Sequence, residues 1–117
     1  MIVYLVLSHS RPAQLGRLVR TLLAEAPAGK VVIHHDPTGT PVAPGLAGVD
    51  GHLFVPRPRP VRWADFSEAQ ATFTSFDWLL RAIEFDWVVV LSGQDYPVRP
   101  LHELEQHLAA TPFDGFV

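Results

Sequence analysis

Unbroken apolar runs alternate along this chain with segments in which apolar residues recur at helical spacing. Residues 2–7 (Ile2, Val3, Tyr4, Leu5, Val6, Leu7) are one such run, rich in β-branched and aromatic side chains. That is the pattern of a strand buried on both faces of a parallel sheet. Pro12 is pre-set for a first helical turn. Behind it Leu15, Leu18, Val19, Leu22, Leu23 and Ala26 repeat with helical period, and Pro27 and Gly29 end the helix. Residues 30–36 form a second strand that turns polar at His34-His35-Asp36. A long irregular connection over residues 37–51 follows, then a short strand over 52–55, turn or extended chain over 56–60 and room for a further short strand over 61–63. Ser67-Glu68-Ala69-Gln70 has the form of a capping box. The helix it opens carries Ala69, Phe73, Phe76, Leu80 and Ile83 on one stripe. Residues 86–91 give a third long strand, residues 100–110 a last helix with Leu101, Leu104 and Leu108 inward, and residues 113–117 the start of another strand. The order β-α-β-β-α-β-α-β, with continuous apolar strands, predicts an α/β layered fold with a mostly parallel sheet.

Composition narrows the function classes. At 117 residues and 48% hydrophobic content, the chain is expected to be a single domain with a real core. The absence of cysteine removes disulfide frameworks, thiolate metal sites and cysteine nucleophiles. A net charge of −3 disfavours general nucleic-acid binding, which needs clustered Lys and Arg. Charge is uneven, with six basic and three acidic groups in residues 1–60 against three and nine in the remainder. An anionic ligand is therefore expected to favour the N-terminal side. The run over residues 2–7 is too short for a membrane span, and no basic region precedes it as in a signal peptide. The expected location is cytoplasmic, with membrane association left open.

Candidate chemistry gathers at the strand ends. In open α/β sheets, ligands bind beyond the carboxyl ends of the strands, near the switch in strand order. The first strand ends in Ser8-His9-Ser10, the second in His34-His35-Asp36 and the third long one in Ser92-Gly93-Gln94-Asp95. Each has a plainer reading beside the functional one. Asp36 before Pro37 fits turn chemistry, as does Ser92-Gly93-Gln94-Asp95. His9 fits a satisfied histidine at a strand edge, and Trp63 a core or lid aromatic. His34 and His35 point to opposite faces of a strand, so only one of them can join His9, which argues against a metal pair. No glycine fingerprint follows the first strand, and Walker loop, nucleophile elbow and Asp-x-Asp are missing.

Taken together, these residues resemble the core-2/I-branching N-acetylglucosaminyltransferase and peptide O-xylosyltransferase family of glycosyltransferases (family 14). The matching features are Tyr4-Leu5-Val6-Leu7-Ser8-His9, Val32-Ile33-His34-His35-Asp36, Trp63 with Ser67, and Leu91-Ser92-Gly93-Gln94-Asp95-Tyr96-Pro97. The resemblance implies a Rossmann-like, GT-A-type three-layer α/β/α fold. It also implies transfer of N-acetylglucosamine or xylose from a UDP-sugar to a carbohydrate or peptide hydroxyl, with inversion and no required cofactor or metal. It places donor binding on Leu7, Ser8, His9, Asp36, Ser92, Gly93, Gln94 and Asp95, with Asp36 against the nucleoside and Leu7, Ser8 and His9 around the uridine. Asp95 stands where metal-dependent relatives of the fold carry Asp-x-Asp. Trp63, Ser67 and Tyr96 are implied as acceptor or lid residues, although Ala64-Asp65 stands where members have Gly-Gly. The family's catalytic base and diphosphate-binding basic residues are expected downstream of Val117, which makes this chain the N-terminal donor-binding part. A non-catalytic module that binds a nucleotide or a partner is the alternative, because an inverting transfer needs a base for the acceptor hydroxyl. An uncovered final strand edge is expected to pair with a second copy as a homodimer.

Overall fold

The computed structural model describes residues 1–62 and 64–117, so the readings made for Trp63 lie outside the described residues. Among the described residues, four strands alternate with four helices. These are β1 (Ile2–Ser8), α1 (Pro12–Glu25), β2 (Lys30–His35), α2 (Ala43–Leu46), β3 (His52–Phe54), α3 (Ser67–Ala82), β4 (Trp87–Ser92) and α4 (Leu101–Ala110). The strands form one sheet in the order β3-β2-β1-β4, with every pair parallel. Leu7 lies level with His34 on one side and Ser92 on the other, so the three polar strand ends share one rim.

The period-2 alternation of the central strand divides the core into two layers. Tyr4 and Val6, with Val31 and Ile33, pack beneath Leu15, Leu18, Val19 and Leu22 of α1, Leu46 of α2 and Leu101 of α4. Val3, Leu5 and Val32 face the other way onto Leu79 of α3, with Phe76, Trp78 and Ile83 around it. The result is the three-layer α/β/α arrangement that the sequence implies.

Several local expectations change. The connection over residues 37–51 holds the short helix α2, because Val42, Leu46 and Val49 recur at helical spacing and are buried against α1. The face α3 turns inward is Ala71, Ser75 and Leu79; Phe73 and Leu80 of the expected stripe are 60% and 73% exposed. Small residues at 71 and 75 let the helix approach the sheet, and the Ser75 hydroxyl donates to the Ala71 carbonyl at 2.7 Å, so its burial strands no polar group. No capping box forms: Phe66 occupies the cap and Ser67 is the first helical residue. The Ser67 Oγ instead accepts from the Arg62 amide at 2.6 Å, while the Ser67 amide donates to Asp65 Oδ1. Val61 and Arg62 lie in no regular element, and residues 113–117 form no strand. Phe116 packs on the rings of Trp87 and His107 instead of joining a ladder. The element order is therefore β-α-β-α-β-α-β-α. Among the described residues no helix is long and apolar enough to cross a membrane.

Candidate functional site

Chain connections leave β1 in opposite directions, towards β2 and, after β3, back across to β4. The gap between β1 and β4 is therefore the topological switch point, where the loops diverge and open a crevice. A cavity of about 560 Å³ lies there, lined by Leu7, Ser8 and His9 from β1 and its exit, and by Ser92 and Gln94 from β4 and its exit. His34 and Asp36 close it from β2 and its exit, Val61 and Arg62 from the segment before α3, and Glu68 and Ala71 from α3.

Asp36 is 4% exposed, a carboxylate at the end of the most buried part of the sheet. Its Oδ1 accepts from the Thr38 amide at 2.8 Å and the Thr38 hydroxyl at 2.7 Å, and its Oδ2 accepts from the Val61 amide at 3.1 Å. Burial pushes the carboxyl up, but the Thr38 hydroxyl, the Thr38 and Val61 amides and the neighbouring His35 together hold it below the ordinary carboxylate value. The group is an anion that organises two loops at once. With about four lone-pair sites on a carboxylate, one remains for a ligand.

His34 is 1% exposed. Its Nε2 accepts from the Arg59 amide at 3.0 Å, which assigns the proton to Nδ1, since a backbone N–H only donates. Burial lowers the imidazole's proton affinity, and His35 adds to that, against an opposite pull from a hydrogen bond to its own backbone and from Asp36. His35, on the other face of the strand, meets the Ser8 hydroxyl through Nδ1 at 2.9 Å.

Glycines set how close the rim strands come. A Cβ on Gly93 would sit 2.9 Å from the Ser8 Cβ, and one on Gly39 would overlap the His9 carbonyl, 2.8 Å from its carbon. At those positions Gly93 N–H donates to the Leu7 carbonyl and Thr40 N–H to the His9 carbonyl, each at 2.8 Å.

The cavity thus brings together Leu7, Ser8, His9, Asp36, Ser92 and Gln94, with Gly93 supporting the wall behind Ser8. Asp95 and Tyr96 lie elsewhere. The Asp95 Oδ2 accepts from the Ser92 amide at 2.7 Å, closing the turn after β4, and both residues line a separate cavity of about 680 Å³ beside α1 and α4. The Tyr96 hydroxyl bonds the Thr21 hydroxyl at 3.0 Å, and the Arg17 guanidinium lies 5.6 Å from its ring centroid. Ser67 is engaged with Arg62 and does not line the crevice. His34 is the one of the two strand-end histidines that reaches the crevice, and Val61, Arg62, Glu68, Ala71, Val90 and Leu91 are lining residues that strand-end reasoning did not assign. Among the described residues, no three or more acidic, histidine or cysteine side chains gather as metal ligands would.

The family described as Core-2/I-Branching enzyme matches residues 2–114 of the chain. No curated protein matches it.

Proposed function

Because this chain belongs to the Core-2/I-Branching enzyme family of glycosyltransferases, we propose that its β1/β4 crevice binds a UDP-sugar donor. The donor carries N-acetylglucosamine or xylose, destined for a carbohydrate or peptide hydroxyl. In that reaction the acceptor oxygen attacks the anomeric carbon from the face opposite the diphosphate. The carbon–oxygen bond to the diphosphate breaks with inversion, UDP departs, and the acceptor proton passes to a base. The observation that carries the reading is the convergence of Leu7, Ser8, His9, Asp36, Ser92 and Gln94 on one cavity at the switch point of the sheet.

In this reading the rim of β1 holds the uracil and ribose, and the free lone pair of Asp36 accepts from the nucleoside. Arg62, on the cavity wall, adds positive charge beside the diphosphate, which a departing anion requires, and no cation is needed. Asp95 and Tyr96 serve the turn and the α1 side and leave the donor untouched.

Calorimetric titration with UDP in EDTA, then with Mn²⁺, and with GDP as control tests the proposal. UDP-selective binding that is independent of the cation and weakened by Arg62→Ala is expected. Equal affinity for UDP and GDP, or binding that appears only with Mn²⁺, overturns it. Turnover of UDP-N-acetylglucosamine or UDP-xylose by the 117-residue chain identifies an enzyme; binding without transfer or donor hydrolysis identifies a nucleotide-binding module.

A further inference from the structure

We infer that His34 is a pH-responsive positioning residue of the donor cavity: its neutral imidazole clamps the 59–62 segment as a wall of the crevice, and protonation releases that wall. This rests on the reading of the crevice as a UDP-sugar site.

The clamp follows from which groups the segment has to offer. Pro58 and Pro60 have no N–H, so residues 58–61 carry amide donors only at Arg59 and Val61. Both go to the end of β2, one to His34 Nε2 and one to Asp36 Oδ2. From the other side, the Arg59 Nε donates to the Thr74 hydroxyl at 3.1 Å, and the Arg62 amide to the Ser67 hydroxyl at 2.6 Å. Val61 and Arg62, held between these four tethers, line the cavity.

Of the four acceptors, only the imidazole changes protonation between about pH 5 and 7. In the imidazolium both ring nitrogens are donors, so Nε2–H would face the Arg59 N–H and the bond would be replaced by repulsion. The titratable and charged groups around His34 are His35 on its own strand and Asp36 just past it, His9 at the exit of β1, Arg59 and Arg62 on the segment and Glu68 on α3. Burial dominates among the forces on the imidazole and favours the neutral, clamping form. The clamp therefore holds at neutral pH and opens as the pH falls below the ordinary imidazole value of about 6.5.

The test is titration with UDP-N-acetylglucosamine, whose diphosphate diester has no proton to lose in this range, at about pH 7.5 and at the lower pH where the His34 ring resonances report the imidazolium. Amide resonances of Arg59 and Val61 are followed over the same range without ligand. We expect donor affinity to fall about fivefold or more in acid, the factor one lost hydrogen bond carries, while the Arg59 amide shift tracks His34 protonation. His34→Gln retains an acceptor that cannot titrate and is expected to flatten the affinity ratio between the two pH values; His34→Leu is expected to weaken binding at both. An Arg59 amide indifferent to His34 protonation overturns the clamp, as does a wild-type affinity ratio in His34→Gln. No donor binding at either pH, with the Arg59 amide still tracking the imidazole, overturns the donor reading and leaves the clamp standing.

Discussion

Replacing Asp36 tests whether this carboxylate builds the site as well as serving it. Asp36→Ala removes the acceptor of three hydrogen bonds, from the Thr38 amide, the Thr38 hydroxyl and the Val61 amide. A hydrogen bond to a charged acceptor contributes roughly 1.5–3 kcal/mol. Thr38 is exposed and Val61 half-buried, so water takes up part of the loss, and we expect about 3 kcal/mol of destabilisation. At a urea m-value of about 1.5 kcal/mol/M, that moves the midpoint down by about 2 M. Asp36→Asn keeps the shape and one acceptor oxygen but turns an NH₂ towards a donor, and about 2 kcal/mol is expected. The pH dependence has a definite sign. The native carboxyl titrates below its ordinary value of 3.8, so its stabilisation is complete above that value and is lost as pH falls through the native one. Urea unfolding of the wild type and both variants, at neutral pH and in acid, reads all of this. An Asp36→Ala unfolding free energy within about 0.5 kcal/mol of wild type, the range of an ordinary surface substitution, would refute the structural half of the argument.

Other consequences are simpler to state. Gly39→Ala places a methyl group into the His9 carbonyl, a backbone obstacle, and should cost about 1–3 kcal/mol in urea unfolding; a neutral result would mean the rim can shift. The Tyr4 phenol is pushed up to about 12 by burial, with Glu105 adding charge and a hydrogen bond. Its contribution to stability is present below the ordinary value of 10.0 and disappears as pH rises through about 12. Phenolate absorbance followed alongside circular dichroism checks this, and a Tyr4 that ionises at the ordinary value refutes it. Strand β4 ends the sheet with the uncharged sequence Trp87-Val88-Val89-Val90-Leu91-Ser92, and it lacks the charges and prolines that protect edges. Two copies pairing through it should scatter light as a dimer and revert to monomer on Val90→Lys; a monomer throughout refutes the pairing.

Elements with a single dominant pattern were legible in the sequence. β1 and β4 are apolar runs broken only at their final serines, β2 is an apolar centre that turns polar at His34, and the α1 stripe of Leu15, Leu18, Val19 and Leu22 is fully buried as its pattern requires. Legibility failed where apolar content and burial part company. In α3 the large Phe73 and Leu80 suggested the inward stripe, but packing against the sheet favours a close approach, which Ala71 and Ser75 allow and the large residues do not. In α2 the four residues include both Pro44 and Gly45, breakers by propensity, and the helix exists because α1 buries Leu46. The run over residues 113–117 has strand composition, yet a strand needs a neighbour, and Phe116 meets aromatic rings instead.

The site divides along the same line. Its β1, β2 and β4 contributions follow from one topological rule applied to polar residues at strand ends, and six of the residues so chosen do share a cavity. The wall over residues 59–62 follows no such rule because it acts through backbone amides, which every residue but proline possesses. What marks it is the alternation Pro56-Arg57-Pro58-Arg59-Pro60, which removes amides until the two that remain over residues 58–61 have designated acceptors in His34 and Asp36. These two residues are two positions apart at the end of β2 and serve the segment with opposite protonation logic, a neutral ring and a retained charge. A crevice wall held in this way is firm near neutrality and loosens first at the histidine, because that acceptor loses its lone pair at a higher pH than the carboxylate does.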